Sequence, residues 1–399
     1  MNTIGLSNGT VLTGFTTMGH CAVLVEDGLV SDVLFQKRFE KEHNNSNIKK
    51  IDVQGDYIVP GFIDTHIHGF AGFGTEDAFE SKEKGTNSML KMSMHLAEYG
   101  VTSFNPTVFP EKPEKMLQAV ESISAAIGKE KGSRIMGIHL EGPFISSERL
   151  GVMKPETVQA VDLDFMQQLW DASDGKIVNM TVAPELKGMR KLALFCLKKG
   201  IILQAGHTNA EYENMVEGMQ TGILHSTHLF NAMRRLDHRN PNTVGAILIH
   251  PEVSCEVIPD GFHIHSDLFK LLTRDKPVDR IVTITDALKA TEQKGGPFIS
   301  NNQEVYLLYG VFHRKSDDVI AGSALTMIQG IRNLVNFGLS LDNAVKTATS
   351  NPAQVMRYNN MGLIIPGYTA DLTVFDKDFN IKLVMIGGKI IINKFEEGA

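Results

Sequence analysis

His66 and His68 stand two residues apart at the end of the apolar run Pro60-Gly-Phe-Ile-Asp-Thr-His-Ile-His-Gly. On an extended strand that spacing turns both imidazoles to one face, where they can share a cation. A second run, Arg134-Ile-Met-Gly-Ile-His-Leu-Glu-Gly-Pro, closes in His139 and Glu141. Glu141 is the stronger ligand candidate of the two. An ionised carboxylate ending an apolar strand is costly to desolvate unless a cation compensates, whereas His139 can sit neutral with one hydrogen bond. Three more runs end in Ala205-Gly-His207-Thr, His225-Ser-Thr-His228-Leu-Phe-Asn and Ile284-Thr-Asp286-Ala. Singly, these side chains read as core histidines, a structural glutamate or a helix-capping aspartate. Together, His66, His68, Glu141, His207, His228 and Asp286 form a nitrogen and oxygen ligand set that suits Zn²⁺, Fe²⁺, Mn²⁺ or Co²⁺ without choosing among them. A divalent cation so held lowers the pKa of water toward about 7 and polarises a carbonyl oxygen, the two needs of amide hydrolysis. Asp286 would take a proton from that water and pass it to the departing amine nitrogen, serving as general base and then general acid.

The elements that carry these residues alternate. Apolar runs at 57–68, 102–108, 135–141, 177–184, 201–207, 226–230, 254–258 and 281–286 read as eight strands. Helical stretches at 82–99, 113–128, 162–172, 189–199 and 210–221 separate most of them, and 323–337 and 341–350 follow the last. That order predicts an α/β fold, a (β/α)₈ TIM-like barrel over 57–356, with the six candidate ligands at the carboxyl ends of strands one, three, five, six and eight, where such barrels carry their chemistry. Met89, Met92, Met94 and Leu96 have helical spacing and read as core packing. The first fifty residues and the last forty have a different texture, short alternating strands with turns and no helical periodicity. They predict a small β-sandwich domain built from 1–56 plus 357–399.

Composition narrows the function classes. The 399 residues include 39 Lys and Arg against 46 Asp and Glu, a net charge of −7. With no long basic run, nucleic-acid binding is excluded as a function, whereas a small anionic ligand is not. Cys21, Cys196 and Cys255 are far apart and lack metal or disulfide spacing, so a reducing cytoplasm is expected. The amino terminus has no secretory pattern, and no stretch approaches the roughly 18 apolar residues of a membrane span.

The motifs PGFIDTHIHG at 60–69, GIHLEGPF at 137–144, AGHT at 205–208, THLFNAM at 227–233, DGFH at 260–263, TDA at 285–287 and AGSALTMIQGIRNL at 321–334 resemble the amidohydrolase superfamily over nearly the whole chain. Within it the resemblance is to the family of N-acetylglucosamine-6-phosphate deacetylases. It implies hydrolysis of N-acetyl-D-glucosamine 6-phosphate to D-glucosamine 6-phosphate and acetate, in amino-sugar catabolism. It implies Glu141, His207 and His228 as ligands of a main metal, most simply zinc, and His66 with His68 as ligands of a second, with Asp286 near both. Some relatives lack the His-x-His pair and use one metal, so one or two per subunit are expected, and two where the pair is present. The resemblance further implies that Val152, Met153, Asn231, Ala232, His263, Ile320, Ala321 and Gly322 bind substrate. It places Arg239 across the interface of a homodimer, on the 6-phosphate. The sequence departs from the family at Gly151-Val-Met-Lys-Pro, where Met153 replaces a residue able to hydrogen-bond the substrate. That departure leaves N-acetylgalactosamine 6-phosphate as an alternative substrate, beside other amides and, least of all, a non-catalytic descendant.

Overall fold

The computed structural model describes residues 3–43 and 48–395. Residues 1–2, 44–47 and 396–399 of the expected terminal domain lie outside the described residues. The central part is a parallel barrel of eight strands: β1 Phe62–Ile67, β2 Val101–Val108, β3 Ile138–Glu141, β4 Ile177–Val182, β5 Ile202–Ala205, β6 His225–Ser226, β7 Ser254–Val257 and β8 Ile281–Thr283. Each pairs with the next in chain order. The ring closes at its top, where the Asp286 amide donates to His66 O at 2.9 Å and the His68 and Gly69 amides donate to Ala287 O at 3.0 Å. Every residue of β1, β2, β3 and β7 is buried, so these strands have no water-facing side.

Two of the expected runs are divided. The run at 57–68 breaks at Gly61: Tyr57–Pro60 pairs with Leu372–Phe375 in the terminal sheet, and only Phe62–Ile67 enters the barrel. A Cβ at Gly61 would lie 2.2 Å from Thr102 Cγ2, so the crossing from one sheet to the other requires glycine. The run at 135–141 is interrupted as well, with Arg134–Ile135 forming a separate short strand on β2.

Helices form at Lys82–Glu98, Pro113–Ala126, Leu163–Ala172, Met189–Lys199, Tyr212–Gln220 and Leu341–Thr347, close to their expected bounds. Met89, Met92 and Leu96 are buried as expected, but Met94 is 53 % exposed, because its place in the 3.6-residue period falls on the solvent side. The stretch 323–337 is helical only from Met327 to Asn336, after a Thr326 cap, and Ser323 ends a strand.

Helices Gln36–His43, Asn242–Ile249 and Ser266–Asp275 were not anticipated. Nor was a four-stranded antiparallel sheet, Phe298–Ser300, Gln303–Leu308, Val311–Arg314 and Ile320–Ser323, inserted after β8. Its first two hairpins turn on Asn301-Asn302 and Tyr309-Gly310, all with positive φ, the backbone that two-residue hairpin turns demand.

The two ends of the chain meet in one eight-stranded sheet. Its order is Lys389–Asn393, Ile381–Ile386, Leu372–Phe375, Tyr57–Pro60, Thr3–Leu12, Thr17–Glu26 and Leu29–Phe35, with Lys49–Asp52 also on Thr3–Leu12. Leu6, Val23 and Ile58 from one end and Leu372, Val374 and Leu383 from the other share its apolar core.

Candidate metal centre and substrate cleft

All six candidate ligands converge at the carboxyl end of the barrel. Two groups of three lie side by side, His66 with His68 and Asp286, and Glu141 with His207 and His228, each with ligand atoms within 4.8 Å of one another. Glu141 joins them. Its Oε1 lies 3.1 Å from His207 Nε2, 3.0 Å from His228 Nε2 and 3.5 Å from His66 Nε2, while its Oε2 lies 3.2 Å from His68 Nε2. Asp286 Oδ1 completes the array at 3.5 Å from His66 Nε2 and 3.3 Å from His68 Nε2.

The backs of three of the four rings are held as well, while His228 Nδ1 is buried with no hydrogen-bond partner among the described residues. His66 Nδ1 faces Glu256 Oε2 at 3.0 Å, His68 Nδ1 faces Thr107 O at 3.1 Å, and His207 Nδ1 faces Arg149 O at 3.0 Å. An acceptor behind Nδ1 fixes the tautomer and turns the Nε2 lone pair forward. His66 Nε2 is fully buried without a hydrogen-bond partner among the described residues. Forward-facing imidazole lone pairs around two buried carboxylates are the donor set a divalent cation takes, so the residues present fit the metal they were expected to hold.

Backbone geometry marks the same positions. His207, His228 and Asp286 have φ of 46°, 21° and 50°, values that L-residues reach at a cost and that cluster at functional sites. Electrostatics agrees with the geometry. Burial pushes the Glu141 carboxyl up, but His66, His207 and His228 outweigh it and hold it well below the usual carboxylate range. Burial acts on Asp286 in the same direction, and His66 and His68 bring it below its ordinary value. His139, fully buried between Thr107 Oγ1 at 3.0 Å and Thr181 Oγ1 at 2.9 Å, is driven well below its ordinary value by burial, with His66 adding to it. It is a neutral core histidine beneath the site, as its alternative reading anticipates.

A cleft of about 250 Å³ opens above these groups. Val152, Met153, Asn231, Ala232, His263, Ile320, Ala321 and Gly322 all line it, together with Phe109, Gly151 and Val319. Phe109 stacks on His68 with ring centroids 3.7 Å apart. His263 Nδ1 meets Asp260 Oδ2 at 2.5 Å; burial opposes its charge, but the Asp260 carboxylate raises it above the ordinary histidine value. The unanticipated inserted sheet supplies Ile320 to Gly322 and ties down the opposite wall, since Gln303 Nε2 donates to Val152 O at 3.0 Å. Gly322 packs so closely that a Cβ there would lie 3.0 Å from Asp286 O.

Arg239 is not part of this cleft within one chain. It sits exposed in the loop after Ala232, where its amide meets Asp237 Oδ1 at 2.8 Å. Lys154 does not take the place of a hydrogen-bonding residue at Met153; its Nζ is 3.6 Å from Glu111 Oε2 and it is not among the lining residues. Glu256 and Phe109 were missed by the sequence reading. Glu256 carried the same signal as Glu141, a carboxylate inside an apolar strand, whereas nothing in the spelling distinguished Phe109 from a core residue.

Comparison with known proteins fits this geometry. The amidohydrolase family profile matches residues 57–391. The chain belongs to the amidohydrolase family. Within the family it is 31 % identical over 388 residues to the N-acetylglucosamine-6-phosphate deacetylase of Lysinibacillus sphaericus, covering 96 % of this chain and 97 % of that one. The crystal structure of the deacetylase of that name from Pasteurella multocida superposes with a TM-score of 0.89 at 29 % identity, over 98 % of this chain and 100 % of the other. A mutant of the Mycobacterium smegmatis deacetylase, solved in complex with N-acetyl-D-glucosamine-6-phosphate, superposes with a TM-score of 0.88 at 28 % identity, with the same coverage. The barrel and its terminal sheet are therefore those of an amidohydrolase of the deacetylase branch.

Proposed function

We propose that this amidohydrolase converts N-acetyl-D-glucosamine 6-phosphate and water into D-glucosamine 6-phosphate and acetate, as the deacetylases it is similar to are named for doing. The observation that carries the reading is Glu141 joining two buried ligand groups at the floor of a sugar-sized cleft, with Asp286 beside them. Glu141, His207 and His228 would hold one divalent cation and His66, His68 and Asp286 a second, zinc being our assignment. A divalent cation there supplies an acidified water and a polarised amide carbonyl.

The chain's own groups do the rest. Asp286 Oδ accepts a proton from the attacking water as its oxygen bonds to the acetyl carbon. It returns that proton to the amine nitrogen as the C–N bond breaks, leaving acetate and the free amine. The pair His263–Asp260, with the Asn231 side chain and the backbone of Ala232 and Ala321, would hold the sugar hydroxyls and orient the acetamido group toward Asp286.

Arg239 would grip the 6-phosphate of the neighbouring subunit's substrate in bidentate fashion. Support for a homodimer comes from its surroundings. The Arg239 loop adjoins an exposed apolar groove that includes Leu236 at 57 %, Ile249 at 55 % and Leu271 at 58 % exposure, a surface suited to a second copy of the chain. We also read 1–56 with 357–399 as the small domain and 57–356 as the catalytic one. Three buried free thiols suit the cytoplasm, where we place the protein; among the described residues no helix is long and apolar enough to cross a membrane. Met153 favours no sugar hydroxyl, so the C4 epimer is the competing substrate. Acetate release from the two sugar phosphates compared side by side decides between them.

A further inference from the structure

We infer that Glu256 is a positioning residue that selects the second cation: it fixes His66 with its proton on Nδ1 and its Nε2 turned to the ion shared with His68 and Asp286. This rests on the two-cation reading above. Glu256 lies in the middle of β7 and is fully buried, one layer beneath the ligands. Both of its oxygens meet groups that donate. Oε2 faces His66 Nδ1 at 3.0 Å and accepts the His228 amide at 3.2 Å, and Oε1 accepts Gln204 Nε2 at 3.2 Å. A buried carboxylate without such donors would be strongly disfavoured, so the arrangement requires the His66 proton on the Glu256 side. That leaves the His66 lone pair on Nε2, the atom found buried and unpartnered between Glu141 and Asp286.

The other ligand group depends on Glu256 less. The Glu256 side chain reaches that group only through the His228 main-chain amide. The next amide, that of Leu229, donates to Glu256 O at 2.8 Å, a bond that any side-chain replacement leaves in place, and His207 is held by Arg149 O instead. Replacing Glu256 should therefore act on one cation and spare the other. Partners behind a metal-bound histidine commonly change metal affinity by about 10–100-fold.

The test is Zn²⁺ binding to apo-protein by calorimetry, with elemental analysis after dialysis, on wild type and on Glu256→Gln and Glu256→Ala. We expect two ions per wild-type chain. In both variants the tighter ion should be retained, and the affinity for the weaker one should fall about 10–100-fold, with a circular dichroism spectrum like that of wild type. Two ions bound unchanged by folded variants would overturn the inference. So would parallel loss of both ions, which would make Glu256 merely structural, or a single ion in wild type. Should neither variant fold, ¹⁵N NMR of the imidazoles in Zn²⁺-loaded wild type decides, with a proton on His66 Nδ1 expected and a proton on Nε2 contradictory. Because none of these readouts uses the sugar substrate, loss of the deacetylase reading would be seen separately, as absent acetate release.

Discussion

Asp286 lies three residues beyond the end of β8, with its amide bound to His66 O and its backbone at φ 50°, so its carboxylate is delivered to the cleft floor by strained but fixed main chain. The substitution Asp286→Asn keeps that shape and removes the proton acceptor. We expect kcat to fall by at least about 10²–10⁴-fold, the range of general acid–base catalysis, while elemental analysis still finds the ion of Glu141, His207 and His228. Turnover near that of wild type would remove Asp286 from its assigned role. These candidate ligands were readable from sequence because each is a polar side chain ending an apolar run, a placement whose desolvation cost calls for an explanation. Glu256 posed the same question from the middle of its strand, and its answer lies in partners on β1, β5 and the segment after β6, which only the folded barrel brings together.

The barrel strands are short, and their outward-facing side chains anchor the inward-facing candidate ligands beside them. Leu140 precedes Glu141 on β3 and is fully buried. Leu140→Ala should cost about 2–5 kcal/mol in a urea unfolding measurement; a loss below about 1 kcal/mol would show that β3 is not held by this packing. The inserted sheet makes a gentler contact through Gln303 to Val152 O. Removing it in Gln303→Ala should cost only about 0.5–1.5 kcal/mol, yet raise KM with little change in kcat, because the Val152–Met153 wall loosens. An unchanged KM would limit the insert to a structural role.

The long β/α units were readable because full burial gives continuous apolar runs and the intervening helices keep their period. The insert escaped because its strands mix exposed Leu307 and Leu308 with buried Val311 and Phe312, so no face repeats cleanly. Its Asn-Asn and Tyr-Gly hairpin turns were the signal available. Helix Asn242–Ile249, Asn-Thr-Val-Gly-Ala-Ile-Leu-Ile, is rich in β-branched residues and contains Gly245, a composition that favours strand or loop until tertiary packing overrides it.

Arg239 lies outside its own chain's cleft, so its proposed role belongs to an assembly of two chains. Arg239→Ala should raise KM for the phosphorylated sugar while hardly changing turnover of unphosphorylated N-acetylglucosamine; equal losses on both would make the residue structural. Mixing the Asp286→Asn and Arg239→Ala chains and allowing subunits to exchange gives a sharper test. Each mixed dimer holds one site with both groups intact, so about a quarter of wild-type activity should return in a random mixture. No recovery in mixed dimers verified by mass spectrometry would place Arg239 outside the partner's site.

The most direct measurement for the whole molecule is acetate release from N-acetylglucosamine 6-phosphate and its C4 epimer, with metal-replete protein and a chelator-treated control. Metal-dependent release, faster from the gluco sugar, is the predicted result. Release that persists without the metal, or from neither sugar phosphate, would contradict a deacetylase built on Glu141, His207, His228 and Asp286.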